Sequence, residues 1–178
     1  MSPSLVLGID PGTAVTGYGV VAFDGRIATL VECGVIRTTA KDPLPQRLLE
    51  ISEGVEEILA RHRPDTMSVE DVFYAKNVRT TIVLGHARGV ILLAAQKAAL
   101  TICEYPPAEI KKAITGTGAA TKEQVQFMVA RLLRLKSAPQ PADAADGVAA
   151  ALCACLMSSR PKLPELPPLR LPLSKLAK

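Results

Sequence analysis

Apolar side chains recur along this chain with two periods, about two and about 3.6 residues, and the switches between them lay out its elements. Leu5-Val6-Leu7-Gly8-Ile9 runs unbroken into Asp10, the signature of a buried strand. Tyr18–Phe23 and Leu30–Ile36 read as two more strands, joined across Asp24-Gly25-Arg26, a hairpin signal. From Leu44 to His62 the period changes: Leu48, Ile51, Val55, Ile58 and Leu59 fall on one helical face, and Pro64 stops the helix. Met67–Glu70 is a short strand, Thr80–Ala99 a second helix with Leu84, Ala87, Val90, Ile91 and Ala94 on one side, and Thr101–Glu104 a last strand. Three helices follow: Pro106–Ile114, Thr121–Leu135 and Asp143–Ser158. Thr121 with Glu123 or Gln124 resembles a capping box.

The order βββ-α-β-α-β-α-α-α predicts an α/β fold: a five-stranded mixed sheet with helices on both faces. A right-handed crossover through the Leu44–His62 helix makes the strands ending in Asp10 and Glu70 parallel neighbours. Their carboxylates then stand side by side at the carboxyl ends of the strands, where open α/β sheets place their sites.

Hydrophobic residues make up 48% of the 178 residues and aromatics only 3%, with no Trp, so the core must be aliphatic and each aromatic invites a question. The net charge of +4 sits entirely beyond residue 159, where Arg160, Lys162, Arg170, Lys175 and Lys178 face Glu165 alone. The body is neutral, so a nucleic-acid partner would require a basic rim around an acidic centre. That same segment, 159–178, alternates Pro and Leu and reads as a disordered or extended basic tail on a single domain spanning 1–158. Cys33, Cys103, Cys153 and Cys155 lack metal-ligand spacing and read as small core residues in a reducing cytoplasm. No signal peptide is visible and the apolar run Val148–Met157 is too short to span a bilayer, so no membrane partner is expected.

Against this background the acids carry the chemistry. Asp10 opens the turn Asp10-Pro11-Gly12-Thr13, Glu70 ends its strand, and Asp143 and Asp146 share a face at the start of the last helix. Singly, each has an ordinary reading: an Asx turn, an exposed strand end, a helix cap. Asp71 alternates to the opposite strand face, which favours Glu70 over it. Jointly the acids form a hard-oxygen pocket for Mg²⁺ or Mn²⁺. Carboxylates 4 Å apart repel by about 4 kcal/mol per pair at an effective dielectric near 20. Such a group needs cations to stay ionised, and two ions about 4 Å apart would clamp a phosphodiester. Phe73 and Tyr74 suit stacking on bases, and Lys76 and Arg79 suit phosphates. Lys122 sits at a helix start, where the dipole disfavours it, and a phosphate partner explains that position. The apolar excess on Gly85–Ala99 marks a dimer-interface candidate.

These segments closely resemble the RuvC family of Holliday-junction resolvases, which have a ribonuclease H-like fold. The matching motifs are Gly8-Ile9-Asp10-Pro11-Gly12 with Thr16-Gly17-Tyr18-Gly19, Glu70 with Val72-Phe73 and Ala75-Lys76-Asn77, and Gly85 with Ala87-Arg88-Gly89. Lys122 with Val125-Gln126 and Met128-Val129, and Ala142-Asp143-Ala144-Ala145-Asp146, continue the match, which covers about Leu5 to Leu156. The resemblance implies that Asp10, Glu70, Asp143 and Asp146 are catalytic and bind divalent metal, with Asp143 the most tolerant position because some members carry His there. It implies that Phe73 wedges against unpaired bases, and that Lys111 and Lys122 act near the scissile phosphate. Tyr74, Lys76, Asn77, Arg79 and Lys112 complete the expected DNA-contacting set. It also implies a homodimer that nicks two opposing strands of a four-way junction symmetrically and works with a branch-migration complex. A two-fold dimer matches the approximate two-fold symmetry of such a junction.

Two other classes are open to these residues. Gly8-Ile9-Asp10-Pro11-Gly12-Thr13 also resembles the phosphate loop of actin- and Hsp70-like ATPases, which need a second related subdomain that 178 residues do not hold. A non-catalytic junction-binding scaffold would not require all four acids.

Overall fold

A computed structural model describes residues 3–71 and 78–158. Five strands form one sheet in the order β3-β2-β1-β4-β5: β1 (Ser4–Asp10), β2 (Val15–Phe23), β3 (Ala28–Arg37), β4 (Thr66–Glu70) and β5 (Thr101–Tyr105). β1, β2 and β3 pair antiparallel, and β1, β4 and β5 run parallel. Helix α1 (Leu44–His62) makes the crossover from the antiparallel half to β4, and α2 (Val78–Lys97) that from β4 to β5. Helices α3 (Pro107–Thr115), α4 (Lys122–Leu132) and α5 (Ala142–Ser158) close the chain. The expected five-stranded mixed sheet with helices on both faces is therefore the architecture found.

Strand period divides the core in two. Leu7, Ile9, Val20, Met67 and Val69 pack with Ile51, Val55 and Ile58 of α1 and Ala87, Ile91, Ala94 and Ala95 of α2. Val6, Val21 and Phe23 point the other way, into α5 and through it to Ile110, Ile114, Val125 and Val129. Gly8, Asp10, Ser68 and Glu70 alternate onto this second face. Helix α5 is buried nearly all round, as expected of an Ala-rich helix sandwiched between a sheet and two helices.

The chain brings α5 unusually close to the sheet. A Cβ on Gly147 would lie 2.5–2.7 Å from the backbone of Tyr18. A Cβ on Gly8 would collide with the backbone of Gly147 and Ala151, and one on Gly17 with the Asp143 carbonyl. Small residues on both partners thus let helix and strand backbones touch. Ser68 fixes the register: its buried hydroxyl donates to the Ala150 carbonyl at 2.7 Å.

Element ends moved where local chemistry was not legible. β2 begins at Val15 and β3 extends over Ala28–Arg37, because the ladder runs from Val15↔Arg37 to Phe23↔Ala28, broken only where Val31 bulges opposite Val20 and Val21. α4 stops at Leu132, and Arg134 adopts φ +55° to let the chain turn back. The capping box resolves onto Gln124, whose side chain and backbone exchange bonds with Thr121. α2 is long and apolar enough, by length and composition alone, to cross a membrane. It instead packs Ala87, Ile91, Ala94 and Ala95 on the sheet side and carries the Arg88 ion pairs with Asp71 and Glu104. The segment 159–178 lies outside the described residues.

Candidate functional site

The β1–β4 register runs Val6↔Thr66 to Ile9↔Val69, so one further step sets Asp10 level with Glu70. Both side chains face α5. The close approach of α5 across Gly8, Gly17 and Gly147 then brings its first two turns over the end of β1. One carboxylate oxygen each from Asp10, Asp143 and Asp146 lie within 4.8 Å of one another. Glu70 stands outside that trio but lines the same cleft, of about 200 Å³, with Asp10, Asp146, Lys111 and Lys122. Pro107, Ile110, Val125 and Ala149 supply its apolar wall.

The electrostatics are those of a site short of positive charge. Burial, then the charges of Glu70, Asp146 and Asp143, push the Asp10 carboxyl up from 3.8 to about 8, with Lys122 opposing. Burial, then Asp146, raises Glu70 from 4.5 to about 7, with Lys111 and Lys122 opposing. Lys122 is the counter-charge at hand: its Nζ lies 2.6 Å from Asp146 Oδ2, and that bond is the main reason its ammonium is held above its usual range. Convergent hard oxygens, a half-buried carboxylate that resists ionisation and two lysines against four acids are a donor set that fits a divalent cation.

The other expected residues divide. Lys111 faces the cleft, while Lys112, a helical step further on, lines a separate cavity with Glu109, Gly118 and Met157. Arg79 lies exposed in the first turn of α2. Phe73, Tyr74, Lys76 and Asn77 lie outside the described residues. Asp71 turns away from the cleft and pairs with Arg88 at 3.2 Å, as strand alternation implies. Sequence reasoning passed over Ser68 and the fully buried Thr16, whose hydroxyl donates to the Gly12 carbonyl at 2.6 Å in the turn after Asp10. Ser68 showed in the sequence only as a small polar residue inside an apolar strand, and Thr16 only as the first residue of the Thr16-Gly17-Tyr18-Gly19 motif.

A five-stranded mixed sheet with acids at the carboxyl ends of adjacent parallel strands and a helix laid across them is a ribonuclease H-like fold. The family model for crossover junction endodeoxyribonuclease RuvC matches residues 6–154. A RuvC from Desulforamulus reducens is 45% identical over 155 residues, covering 87% of this chain and 95% of that protein. One from Shewanella sediminis is 49% identical over 150 residues, 84% of this chain and 86% of that one. Among solved structures, T. thermophilus RuvC in complex with a Holliday junction substrate superposes with a TM-score of 0.79 at 35% identity, over 87% of this chain and 94% of that one. The yeast mitochondrial Holliday junction resolvase shares the fold, with a TM-score of 0.63 at 13% identity over 87% and 81% of the two chains. The chain belongs to the RuvC family of crossover junction endodeoxyribonucleases.

Proposed function

We propose that this protein resolves four-way DNA junctions by paired symmetric nicks, using metal-assisted hydrolysis of phosphodiester bonds at the acidic cleft. The carrying observation is the gathering of Asp10, Asp143 and Asp146 within 4.8 Å in a chain of this family. Asp10, Glu70, Asp143 and Asp146 would hold Mg²⁺ or Mn²⁺, with room in the ligand set for two ions. Bound there, the cation supplies positive charge to the phosphate and makes a water more acidic. Lys111 and Lys122 neutralise phosphate charge at the cleft mouth. Lys122, which pairs with Asp146 at 2.6 Å, would serve a DNA phosphate from the same place. Phe73, Tyr74, Lys76, Asn77 and Arg79, in and beside the segment that follows Glu70, complete the contacts to the junction centre, and Lys112 meets the backbone further out.

The active form is a homodimer joined through α2. Val78, Ile82 and Leu93 are 73%, 56% and 54% exposed. They fall on one side of the helix, opposite Ala87 and Ile91. Gly85 and Gly89 lie between them with open space above, which lets a second helix approach closely. Ile82→Glu with Leu93→Glu should give a monomer in sedimentation velocity that no longer makes paired nicks. The family resemblance extends the proposal to a branch-migration complex as partner and to the cytoplasm as location.

The test is cleavage of a synthetic mobile four-way junction beside a linear duplex, in Mg²⁺ and in Mn²⁺, with wild type, Asp10→Asn and Glu70→Gln. Symmetric nicks by wild type alone, with both variants still binding, are expected. Binding without cutting in either metal would sink the catalytic part of the proposal.

A further inference from the structure

Three successive carbonyls in the turn after Asp10 each accept a hydrogen bond, Gly12 from a residue four positions on, and Thr13 and Ala14 from distant parts of the chain. Gly12 O accepts from Thr16 Oγ1 at 2.6 Å. Thr13 O accepts from both Thr38 Oγ1 and Arg47 Nη2, the latter at 2.5 Å. Ala14 O accepts from the Thr38 amide at 3.1 Å. Arg47 Nε also donates to Thr38 Oγ1 at 2.9 Å, so Arg47, Thr38 and the Thr13 carbonyl form a closed triangle. Arg47 reaches this turn from the first turn of α1, 34 residues away in sequence.

That is a costly place for a guanidinium. The N-terminal turn of a helix disfavours positive charge, and both hydrogen-bond partners of Arg47 are neutral oxygens. The geometry gives it a different use. Asp10 is the last residue of β1, and its carboxylate is crowded by those of Asp143 and Asp146. β1 and α5 are locked in the core on either side. The turn at residues 11–15 is the part of the chain beside Asp10 that the two core clusters do not hold, so it is where the backbone under Asp10 can give way. The charges that bear most on Asp10 are those of Glu70, Asp146, Asp143 and Lys122. Arg47 therefore acts through the backbone.

We propose that Arg47, braced by Thr38, is a positioning residue for the junction-cutting reaction, holding the turn so that Asp10 stays in register with Asp143 and Asp146. This inference rests on the nuclease reading above. Groups that orient metal-ligating residues typically cost about 10–100-fold in metal affinity or activity when removed.

The experiment compares wild type with Arg47→Met, Arg47→Lys, Thr38→Val and the double variant Arg47→Met/Thr38→Val, all full-length. Three quantities are read: the Mn²⁺ concentration giving half the maximal rise in Tm without DNA, single-turnover cleavage, and junction affinity against salt. Arg47→Met should need about 10–100-fold more Mn²⁺ and cut more slowly by a similar factor, at unchanged junction affinity and salt slope. Thr38→Val keeps the side-chain shape and should show a smaller loss, and the double variant should be no worse than Arg47→Met, because both act on one carbonyl. A weaker, less salt-dependent junction affinity would instead make Arg47 a phosphate contact and overturn the inference. A lowered Tm with wild-type Mn²⁺ response and wild-type cutting below that Tm would make the triangle merely structural and also overturn it. If wild type itself leaves the junction whole, the nuclease reading falls, and the Mn²⁺ titration still decides the part played by Arg47.

Discussion

Replacing Asp10 by Asn should stabilise the metal-free protein while abolishing its chemistry, and the size of the gain should depend on pH in a set direction. The Asp10 carboxyl titrates at about 8 in the fold against 3.8 in an ordinary setting. The folded state therefore binds this proton more tightly than the unfolded chain does. Below about pH 4 both states are protonated and Asp10 costs nothing. As pH rises from about 4 to 8 the unfolded chain ionises first, and folding must either keep the proton or bury a charge. Stability is lost across that window, and above pH 8 the loss is complete. At about 1.4 kcal/mol per unit, a rise of about four units bounds the cost at on the order of 5 kcal/mol. For a chain of this size 1 kcal/mol moves Tm by about 2–4 °C. Asn keeps the shape and removes the charge. In EDTA, Asp10→Asn should melt about 5–15 °C above wild type at pH 8, and the gap should close toward pH 4.5. Saturating Mn²⁺ should raise the wild-type Tm at pH 8 and leave the variant nearly unmoved. Differential scanning calorimetry from pH 4.5 to 8.5 reads both. Parallel melting curves with a pH-independent gap, or a wild type more stable than the variant at pH 8 in EDTA, would refute the account of the site as a cluster held under electrostatic load.

The remaining predictions concern the parts that build the cleft. Gly147→Ala places a methyl about 2.5 Å from the Tyr18 backbone; overpacking of this kind costs about 1–3 kcal/mol, and urea unfolding should show it while cleavage falls further than stability does, because Asp143 and Asp146 ride on α5. Ser68→Ala removes a buried donor to the Ala150 carbonyl and should lower the unfolding free energy by about 1–2 kcal/mol, with equilibrium urea melts as the check. Lys122→Met frees Asp146 of its ion pair, so the variant should take up Mn²⁺ at lower concentration in a Tm titration yet cut the junction more slowly; weaker Mn²⁺ uptake would show that Lys122 helps assemble the acids instead of competing with the cation.

Much of this molecule is written locally. The unbroken apolar run into Asp10, the single apolar face of Leu44–His62 and the stop at Pro64 announce β1 and α1 because each reflects a one-sided or two-sided burial that a short segment meets alone. Parallel pairing of β1 with β4 follows from crossover handedness, so the levelling of Asp10 with Glu70 was legible from residues 60 apart. The four acids and Lys122 could be singled out for the same reason: each ends or begins an element.

What the chain could not show locally is how closely the elements meet. That Lys111 turns into the cleft and Lys112 away from it depends on how α3 is rotated against α5. That Lys122 spends its charge on Asp146 depends on α4 packing beside α5. Gly8, Gly17 and Gly147 lie far apart in sequence, and only their stacking in space reveals that α5 touches the sheet backbone. Ser68 and the Arg47–Thr38–Thr13 triangle are long-range hydrogen bonds, which leave no periodic trace because a single donor and a single carbonyl suffice. Sequence by itself determined which side chains could do the chemistry and on which strand or helix end each stands, since hydrophobic period and end signals are local. Tertiary structure alone decided which acids gather and which cation opposes them, since charge interactions depend on distances that only packing sets.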